Sequence, residues 1–286
     1  MPDSLKDFIT DATRALAEAS PTPRLDAELL LAHALGKDRS YLHAHAEDTP
    51  DAETGRRFRT LVDARRSGEP IAYLTSKREF WSLVLKVTPA TLIPRHETEL
   101  LVELALERIP EDAAWSVLDL GTGSGALALA VARARPRCRI TATDESEAAL
   151  EVAAENARAL KLSNLEFVTG DWFAPLTGRR FNLILSNPPY VKEKDPHLNR
   201  GDLRFEPRSA LAAGPEGLDD LRSIAEHAIP HLADRAWLLM EHGFDQGNAV
   251  RALLSSGGFT GVTSFRDLAG QERVTGGMRT GLPASR

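Results

Sequence analysis

Apolar residues recur at helical spacing through the first part of the chain. In SLKDFITDATRALAEA, residues 4–19, one helical face carries Leu5, Phe8, Ile9, Ala12 and Leu16. A second amphipathic segment, RLDAELLLAHALG, ends at Gly36. A third, TPDAETGRRFRTLVDARRSG, has Thr49 as its predicted N-cap and Pro50 at the first helical position. The pattern predicts a small all-helical domain over residues 1–75.

The period changes from helical spacing to two in EFWSLVLKVTPATLIP. One face of this segment carries Trp81, Leu83, Leu85 and Val87. Strict alternation over such a short stretch is typical of a β-hairpin, since successive strand residues point to opposite faces. We therefore predict a hairpin linker over residues 76–92.

From residue 93 onward, short apolar runs alternate with amphipathic helices. The predicted strands are WSVLDL, CRITATD, LEFVTG, FNLILSN and AWLLMEHG. This alternation predicts an α/β domain over residues 93–286, with a mostly parallel sheet covered by helices on both faces. Ligands of such sheets bind beyond the carboxyl ends of the strands.

Composition and charge narrow the class of protein. The 286 residues are 42% hydrophobic, and a formal net charge of -6 argues against binding nucleic acid by nonspecific phosphate neutralisation. The single cysteine, Cys138, rules out a disulfide framework, and the histidines lack ligand spacing, so we expect no metal. There is no signal-peptide pattern and no apolar run of the roughly 18 to 20 residues that span a bilayer. We expect a cytoplasmic protein that binds no membrane.

A glycine-rich turn follows the first strand of the α/β domain. VLDLGTGSGALALA spaces Gly121, Thr122, Gly123, Ser124 and Gly125 between an apolar strand and an alanine-rich helix. Glycines let a ligand approach the backbone closely, and the helix N-terminus offers free N–H groups. The next strand ends about 20 residues later at Asp144, where a carboxylate can hold two ribose hydroxyls. This predicts a nucleotide-type site. The alternatives are a tight turn without a ligand, and an Asp144 that only caps the next helix.

The glycine spacing separates two kinds of cofactor. A dinucleotide site has G-x-G-x-x-G, but Ala126 stands where its third glycine belongs. The pattern D-x-G-x-G-x-G, beginning at Asp119, instead resembles Rossmann-like methyltransferases that use S-adenosylmethionine. The resemblance implies that the loop lies under the methionine part of the cofactor and that Asp144 holds its ribose. It also implies that GDW contacts the adenine, with Trp172 stacked on the base and Asp171 bonded to its edge. The alternative for Trp172 is a core position.

The strand FNLILSN runs into Asn187, Pro188, Pro189 and Tyr190. A side-chain amide NH2 is a poor nucleophile, because resonance draws its lone pair into the carbonyl, and it carries two N–H donors. The Asn187 oxygen and carbonyls of a turn whose prolines have no N–H can accept both donors, and Tyr190 can stack on the planar amide. NPPY after a strand resembles the motif of methyltransferases that act on planar NH2 groups, either exocyclic adenine amines or glutamine side-chain amides. The resemblance implies methyl transfer by orientation and electrostatics, without a strong general base. The alternative is a proline-stiffened loop.

Seven stretches together carry a closer resemblance: TLIPRHETE, DLGTGSGALALA, GDWF, SNPPYV, GDLRFEP, LLMEHGFDQG and QERVTGG. Over nearly the whole chain they resemble the release factor glutamine methyltransferase family, also called PrmC or HemK. The resemblance implies a Rossmann-like S-adenosylmethionine-dependent methyltransferase fold with a helical N-terminal domain that recognises the substrate.

The resemblance also implies a substrate and site roles. The substrate is the glutamine of the Gly-Gly-Gln loop in class I peptide chain release factors, methylated on its side-chain amide nitrogen to tune translation termination. S-adenosylhomocysteine is the second product, and no stable nucleic-acid binding is expected. Residues 121–125, Asp144, Asp171, Trp172 and Asn187 are predicted to bind the cofactor. Asn187, Pro188, Pro189 and Tyr190 are predicted to hold the substrate, with Asn187, Pro188 and Tyr190 catalytic.

One position departs from the family pattern, and three other functions fit part of the sequence. His96 stands where the family has proline, which leaves the role of residues 95–99 open. An adenine-N6 methyltransferase of DNA or RNA shares NPPY but would be expected to carry a basic cleft and a nucleic-acid recognition domain. The ribosomal-protein glutamine methyltransferase also shares NPPY, but TLIPRHETE favours the release factor type. A non-catalytic module would bind S-adenosylmethionine without turnover, and the intact glycine, aspartate and NPPY positions argue against it.

Overall fold

The structure, a computed structural model, describes residues 4–280. Two compact units divide the chain, and one of them comprises the chain up to Lys77 together with Asn199–Phe205. The other comprises Arg78–Leu198 and the chain from Glu206 onward. The sequence-based division at residues 75 and 92 differs in two places. The hairpin belongs with the second unit, because its apolar face packs into that unit's core, and Asn199–Phe205 belongs with the first.

The first unit is helical. Its helices, within the described residues, are α1 (Leu5–Ala15), α2 (Pro23–Leu35), α3 (Arg39–Ala44), α4 (Ala52–Arg66) and α5 (Ile71–Thr75). Their apolar stripes meet in one core that includes Leu5, Phe8, Leu30, Leu31 and Phe58. Ser4 caps α1 by accepting a hydrogen bond from the Asp7 N–H, and Gly36 ends α2 in the left-handed conformation.

The start of α4 differs from the prediction. Asp51, rather than Thr49, is its N-cap, since the Asp51 carboxylate accepts a 2.8 Å hydrogen bond from the Thr54 N–H. Pro50 therefore lies before the helix and not at its first turn. Two candidate caps two residues apart compete here, and the one whose carboxylate reaches the orphan N–H groups sets the boundary.

The predicted hairpin is formed by β1 (Lys77–Phe80) and β2 (Leu83–Lys86). Leu83 and Leu85 are buried as expected, but Trp81 lies in the turn. Trp81 and Ser82 have φ of 50° and 56°, the left-handed pair that suits a two-residue hairpin turn. The alternating pattern therefore holds on one side of the turn only.

The second unit is built on a seven-stranded sheet, counted over the described residues. Its strands are β3 (Ser116–Leu120), β4 (Arg139–Asp144), β5 (Leu165–Thr169), β6 (Phe181–Ser186), β7 (Leu232–Glu241), β8 (Phe259–Arg266) and β9 (Glu272–Arg279). The order is β5-β4-β3-β6-β7-β9-β8; the first five strands are parallel, and β9 runs antiparallel to both of its neighbours, β7 and β8. The predicted α/β fold with a mostly parallel sheet is confirmed. The antiparallel pair β8 and β9 was not predicted, because glycines interrupt its alternation.

Helices cover both faces of this sheet. They are α6 (Glu99–Arg108), α7 (Ala126–Ala134), α8 (Glu147–Ala159), α9 (Asp219–His227) and α10 (Gly247–Ser256). Alternate residues of β3 enter opposite cores: Val117 packs with α6 and α7, and Leu118 packs with α9 and α10. No helix among residues 4–280 is both long and apolar enough to cross a membrane.

The strand register brings four chain segments to one edge of the sheet. Leu120 of β3 pairs with Thr143 of β4 and with Ser186 of β6, and Asp144 pairs with Thr169 of β5. The residues that follow these strands therefore emerge side by side at the carboxyl edge, where ligands of parallel sheets bind.

Candidate active site

A cavity of about 330 Å³ lies at this carboxyl edge, within the size range of small-molecule sites. The predicted site residues that line it are Gly121, Gly123, Asp144, Asp171, Trp172, Asn187 and Pro189. Thr122, Ser124, Gly125, Pro188 and Tyr190 are not part of its lining. The structure thus brings together seven of the twelve predicted residues around one space.

The glycines of the loop serve different purposes. A Cβ at Gly123 would meet no heavy atom within 4 Å, so this residue faces open space in the cavity. A Cβ at Gly125 would lie 2.9 Å from Leu129 and 3.1 Å from the Cβ of Ala153. Gly125 has φ of +86° and lies at the N-cap position of α7. Gly125 is therefore required for the turn and for the packing of α7 against α8, while Gly123 is the position that a ligand can approach.

The side chains between the glycines turn inward. The Thr122 hydroxyl donates a 2.6 Å hydrogen bond to Asp119 Oδ2, and the Ala128 N–H donates to the same oxygen. The Ser124 side chain is buried, and its carbonyl accepts from the amide of Asn156. Burial raises the pKa of Asp119 to about 6, against the opposing effect of its two hydrogen bonds. These contacts tie the loop to the sheet and shape it before any ligand binds.

Asp119 leaves one carboxylate oxygen, Oδ1, without a hydrogen-bond partner among the described residues. The hydroxyl of Thr143, a residue that lines the cavity, also has no hydrogen-bond partner among residues 4–280. Buried polar atoms are rarely left unpaired in native proteins. Two such atoms at the carboxyl edge of the sheet fit a site that is completed by a polar ligand.

Asp144 holds the loop and the following helix at once. Its Oδ2 accepts a 2.8 Å hydrogen bond from the Gly123 N–H, and its Oδ1 accepts a 2.9 Å bond from the Ser146 N–H. Ser146, rather than Asp144, is the N-cap of α8. Burial raises the pKa of Asp144, and the two N–H groups oppose that rise. Each carboxylate oxygen keeps a further lone pair for a ligand hydroxyl.

Trp172 is partly buried: it lines the cavity and also packs against the core on the α9 and α10 face of the sheet. Its backbone has φ of +40°, a strained value for a bulky side chain. A Cβ at Gly121 would lie 3.3 Å from its ring, so the ring lies directly against the glycine loop. Asp171 beside it is exposed, and Asp220, which sequence analysis did not find, lines the same wall. Burial raises the pKa of Asp220, while a hydrogen bond from the Trp172 side chain lowers it.

The Asn187 side chain is held on one side by α6. Its Nδ2 donates a 3.0 Å hydrogen bond to Oγ1 of Thr98, a buried residue at the N-terminus of that helix. This contact uses the amide nitrogen, which leaves Oδ1 as the acceptor that Asn187 presents. Pro188 is buried behind it, and Pro189 lines the cavity.

Tyr190 is fixed at both its hydroxyl and its backbone. The hydroxyl donates a 3.0 Å hydrogen bond to Oε1 of Glu241 at the end of β7, and the carbonyl accepts one from Gln246 Nε2. Burial raises the pKa of Glu241 to about 7, although the hydroxyls of Thr98 and Tyr190 oppose that rise. Burial and the Glu241 charge raise the pKa of Tyr190, which keeps its proton. Sequence analysis found neither Thr98 nor Glu241 as site residues, since each is a single polar residue at an element end.

Residues 95–99, left open by the sequence, have mostly a structural part. Arg95 forms an ion pair with buried Glu206, whose other oxygen accepts a 2.9 Å hydrogen bond from the Ile93 N–H. His96 is exposed, and its Nδ1 lies 3.7 Å from Glu99 Oε1. The Arg95 pair therefore joins two neighbouring chain segments, and only Thr98 of this group reaches a predicted site residue.

The chain is similar to known proteins over most of its length. Residues 7–75 match the family described as PrmC N-terminal domain, and residues 97–203 match the methyltransferase small domain. The release factor glutamine methyltransferase of Pseudomonas aeruginosa is 54% identical over 90% of this chain and 92% of its own. The protein of the same name from Vibrio cholerae is 49% identical over 96% of each chain. A 16S rRNA methyltransferase from T. thermophilus, solved in complex with AdoMet and guanosine, shares the fold with a TM-score of 0.55. It is 19% identical, over 71% of this chain and 49% of that one.

Proposed function

The chain belongs to the release factor glutamine methyltransferase family, and from this premise we propose that it methylates the glutamine of the Gly-Gly-Gln loop in class I peptide chain release factors. The methyl group goes to the side-chain amide nitrogen, with S-adenosylmethionine as donor, in the cytoplasm, where translation terminates. One observation carries the proposal: the Asn187 amide is held by its nitrogen, so that its oxygen is presented at a cavity lined by the glycine loop and Asp144.

The residues around the cavity fit the donor. S-adenosylmethionine supplies an electrophilic methyl group on a positively charged sulfur. Gly123 leaves room for close approach, and Asp144 keeps lone pairs for ribose hydroxyls while it fixes the loop. The Trp172 ring offers a flat apolar surface, with Asp171 beside it for a polar edge. The unpaired hydroxyl of Thr143, which lines the cavity, is a polar partner for the rest of the molecule.

On the substrate side, Asn187 supplies the main acceptor. The two N–H groups of a glutamine amide need two acceptors in a water-poor site, and we assign these to the Asn187 oxygen and to a backbone carbonyl of the proline turn that follows it. This grip orients the nitrogen toward the methyl group and favours return of the lone pair to nitrogen. Tyr190, fixed by Glu241, can cover the face of the amide. Methyl transfer would form the N–CH3 bond as the S–CH3 bond of the donor breaks. The methylated nitrogen would be acidic and would release its proton to solvent, so no strong base is needed.

A direct test uses the purified full chain, a class I release factor from a strain that lacks the enzyme, and S-adenosylmethionine. Mass spectrometry should find one added methyl group on the glutamine of the Gly-Gly-Gln loop. Asn187→Ala should lower the rate of transfer at least about 100-fold, the effect of removing one preorganised donor or acceptor at a reacting group. The matched control is Asn248→Ala, an exposed asparagine on α10. Methylation of adenine, lysine or a ribosomal-protein glutamine in place of the release factor would contradict the proposal.

A further inference from the structure

Behind the NPPY residues lie two buried polar side chains that do not line the cavity. Thr98 is 4% exposed and accepts the hydrogen bond from Asn187 Nδ2. Glu241 is 1% exposed and accepts the hydrogen bond from the Tyr190 hydroxyl. Two of the four NPPY side chains are thus held from behind, one from the start of α6 and one from the end of β7.

The direction of these hydrogen bonds follows from the chemistry of Glu241. An ionised carboxylate only accepts hydrogen bonds, so the Tyr190 hydroxyl donates to it, and the neighbouring Thr98 hydroxyl is a second donor that it can accept. The Tyr190 hydroxyl bonds to Oε1, and the Thr98 hydroxyl also lowers the pKa of this carboxyl. The second oxygen, Oε2, has no partner at hydrogen-bond geometry within the described part of the chain. The Thr98 proton is the donor that can satisfy it.

A hydroxyl that gives its one proton to Glu241 has only lone pairs left for Asn187. The Asn187 amide must then bring its NH2 group to Thr98, as it does in the structure, and present Oδ1 on the other side. With the amide reversed, the NH2 group of Asn187 would face the NH2 group of a glutamine. Two donors would meet, and each would be left unsatisfied in a buried site. The identity of Glu241 thus determines which end of Asn187 is presented.

We propose that Thr98 and Glu241 are positioning residues that fix the orientation of the Asn187 amide, so that its oxygen faces the substrate. The proposal rests on the proposed function for the identity of the substrate. The hydrogen-bond direction itself depends only on the contacts among the three side chains.

The proposal has a consequence for the dependence of the reaction on pH. Glu241, with its pKa raised to about 7 by burial, gains an O–H below that pH and no longer requires the Thr98 proton. The groups that bear on it are Tyr190, Arg273 and Glu97. Burial and the Glu241 charge raise the pKa of Tyr190, so it keeps its proton across this range, and burial lowers the pKa of neighbouring His242, so that this ring stays neutral. The turnover rate should therefore rise with pH through about 7.

Kinetics of three variants test the roles of these residues. Thr98→Val keeps the shape of the side chain but removes the acceptor, and should lower kcat for the release factor at least about 10-fold. Its Kd for S-adenosylmethionine should stay unchanged, because Thr98 does not line the cavity. Thr98→Ser restores the hydroxyl and should recover most of the rate. Glu241→Gln, which can donate as well as accept, should lose the rise of kcat through about pH 7. An unchanged pH profile in this variant would overturn the part assigned to Glu241.

A second measurement needs no substrate. The side-chain NH2 signals of Asn187 in an NMR spectrum can be assigned by their loss in Asn187→Asp. They should shift in Thr98→Val and return toward their original position in Thr98→Ser. If the wild-type protein fails to methylate a release factor while these signals behave as expected, the proposed function is wrong and the positioning role stands. Normal kcat and unmoved Asn187 signals in a folded Thr98→Val protein would overturn the positioning role.

Discussion

At the scale of single residues, Asp144 shows how one side chain can organise a site and still bind a ligand. Both of its oxygens accept backbone N–H groups, one of them from the glycine loop. The Asp144 carboxylate is therefore fixed in place before a ribose binds, so binding of the ribose costs little side-chain entropy at this residue. The same geometry means that loss of Asp144 disturbs the loop as well as the ligand contact.

Asp144→Ala should weaken binding of S-adenosylmethionine by about 1.5 to 3 kcal/mol, the range for losing hydrogen bonds to a charged group. Isothermal calorimetry with S-adenosylmethionine, S-adenosylhomocysteine and NAD measures it. Asp171→Ala, at an exposed position of the same cavity, is the matched comparison and should cost less. Equal losses in the two variants, or tight binding of NAD, would contradict the assignment of Asp144 to the ribose.

Glu241 should make the protein less stable as pH rises. Its pKa is raised from the usual 4.5 to about 7, so the folded state holds this proton more tightly than the unfolded state does. The contribution of this protonated group to the free energy of unfolding is fully present below about pH 4.5. About 3 kcal/mol is lost as pH rises through 7. Glu241→Gln keeps an acceptor for Tyr190 and removes this loss. Urea unfolding at pH 5 and pH 8.5 should show that the free energy of unfolding of the variant, relative to that of the wild type, increases with pH. A difference independent of pH would show that burial of the charge is not the cause.

At the scale of elements, the turn from β3 into α7 separates packing from binding. Ala at position 125 must adopt φ of +86° and push against Leu129 and Ala153, whereas Ala at position 123 meets open space. Gly125→Ala should therefore lower the free energy of unfolding by about 3 kcal/mol, and Gly123→Ala by about 1 kcal/mol, chiefly from backbone strain. Gly123→Ala should lose more cofactor affinity than its small loss of stability explains. Denaturant unfolding and calorimetry on both variants test this contrast.

Within the helical unit, α4 holds the segment Asn199–Phe205 through Arg65. This buried arginine donates a 2.7 Å hydrogen bond to Asp26 and a 3.2 Å bond to Asp202. Arg65→Met leaves Asp26 buried without its cation and should cost about 3 kcal/mol of stability. The matched control is Arg66→Met, which breaks an exposed pair with Asp63 and should cost less than about 1 kcal/mol. Similar melting temperatures for the two variants would show that the buried pair contributes little.

At the scale of the whole molecule, recognition of a folded protein needs more than the cavity. Two glycines beside the target glutamine let a loop extend into a narrow site without side-chain clashes, but a short Gly-Gly-Gln peptide offers only that. We propose that the helical domain, residues 1–75, supplies the second contact. Residues 7–75 match the family described as PrmC N-terminal domain, and the cavity lining lies outside this range.

A Gly-Gly-Gln peptide should accordingly be methylated with a kcat/KM at least about 100-fold lower than the whole release factor, a difference of about 3 kcal/mol. Steady-state kinetics with both substrates measure it, and a factor whose target glutamine is replaced by glutamate is the control for site selection. Comparable kcat/KM values for peptide and factor would show that the cavity alone recognises the substrate.

Sequence by itself determined the fold class and the place of the site. Three local patterns carried this prediction: the alternation of strands and helices, the glycine loop and NPPY. Each can be recognised from sequence because the residues that act together lie within a few positions of one another. Asp144 was also found this way, since parallel strands deliver their ends to one edge. Thr122, Ser124 and Gly125 were grouped with the ligand contacts by sequence, but their side chains or Cβ positions face the protein interior.

Tertiary structure alone decided what stands behind these motifs. Thr98 meets Asn187 across 89 residues, and Glu241 meets Tyr190 across 51. No local sequence pattern identifies such partners, because a single threonine or glutamate is also common on a solvent-exposed surface. A buried carboxylate cannot accept hydrogen bonds from water, so it needs donors from the protein, and this requirement sets the direction of the neighbouring hydrogen bonds. The sequence motif therefore identifies Asn187 as a site residue. Which end of its amide faces the cavity depends on the packing of α6 and β7 around it.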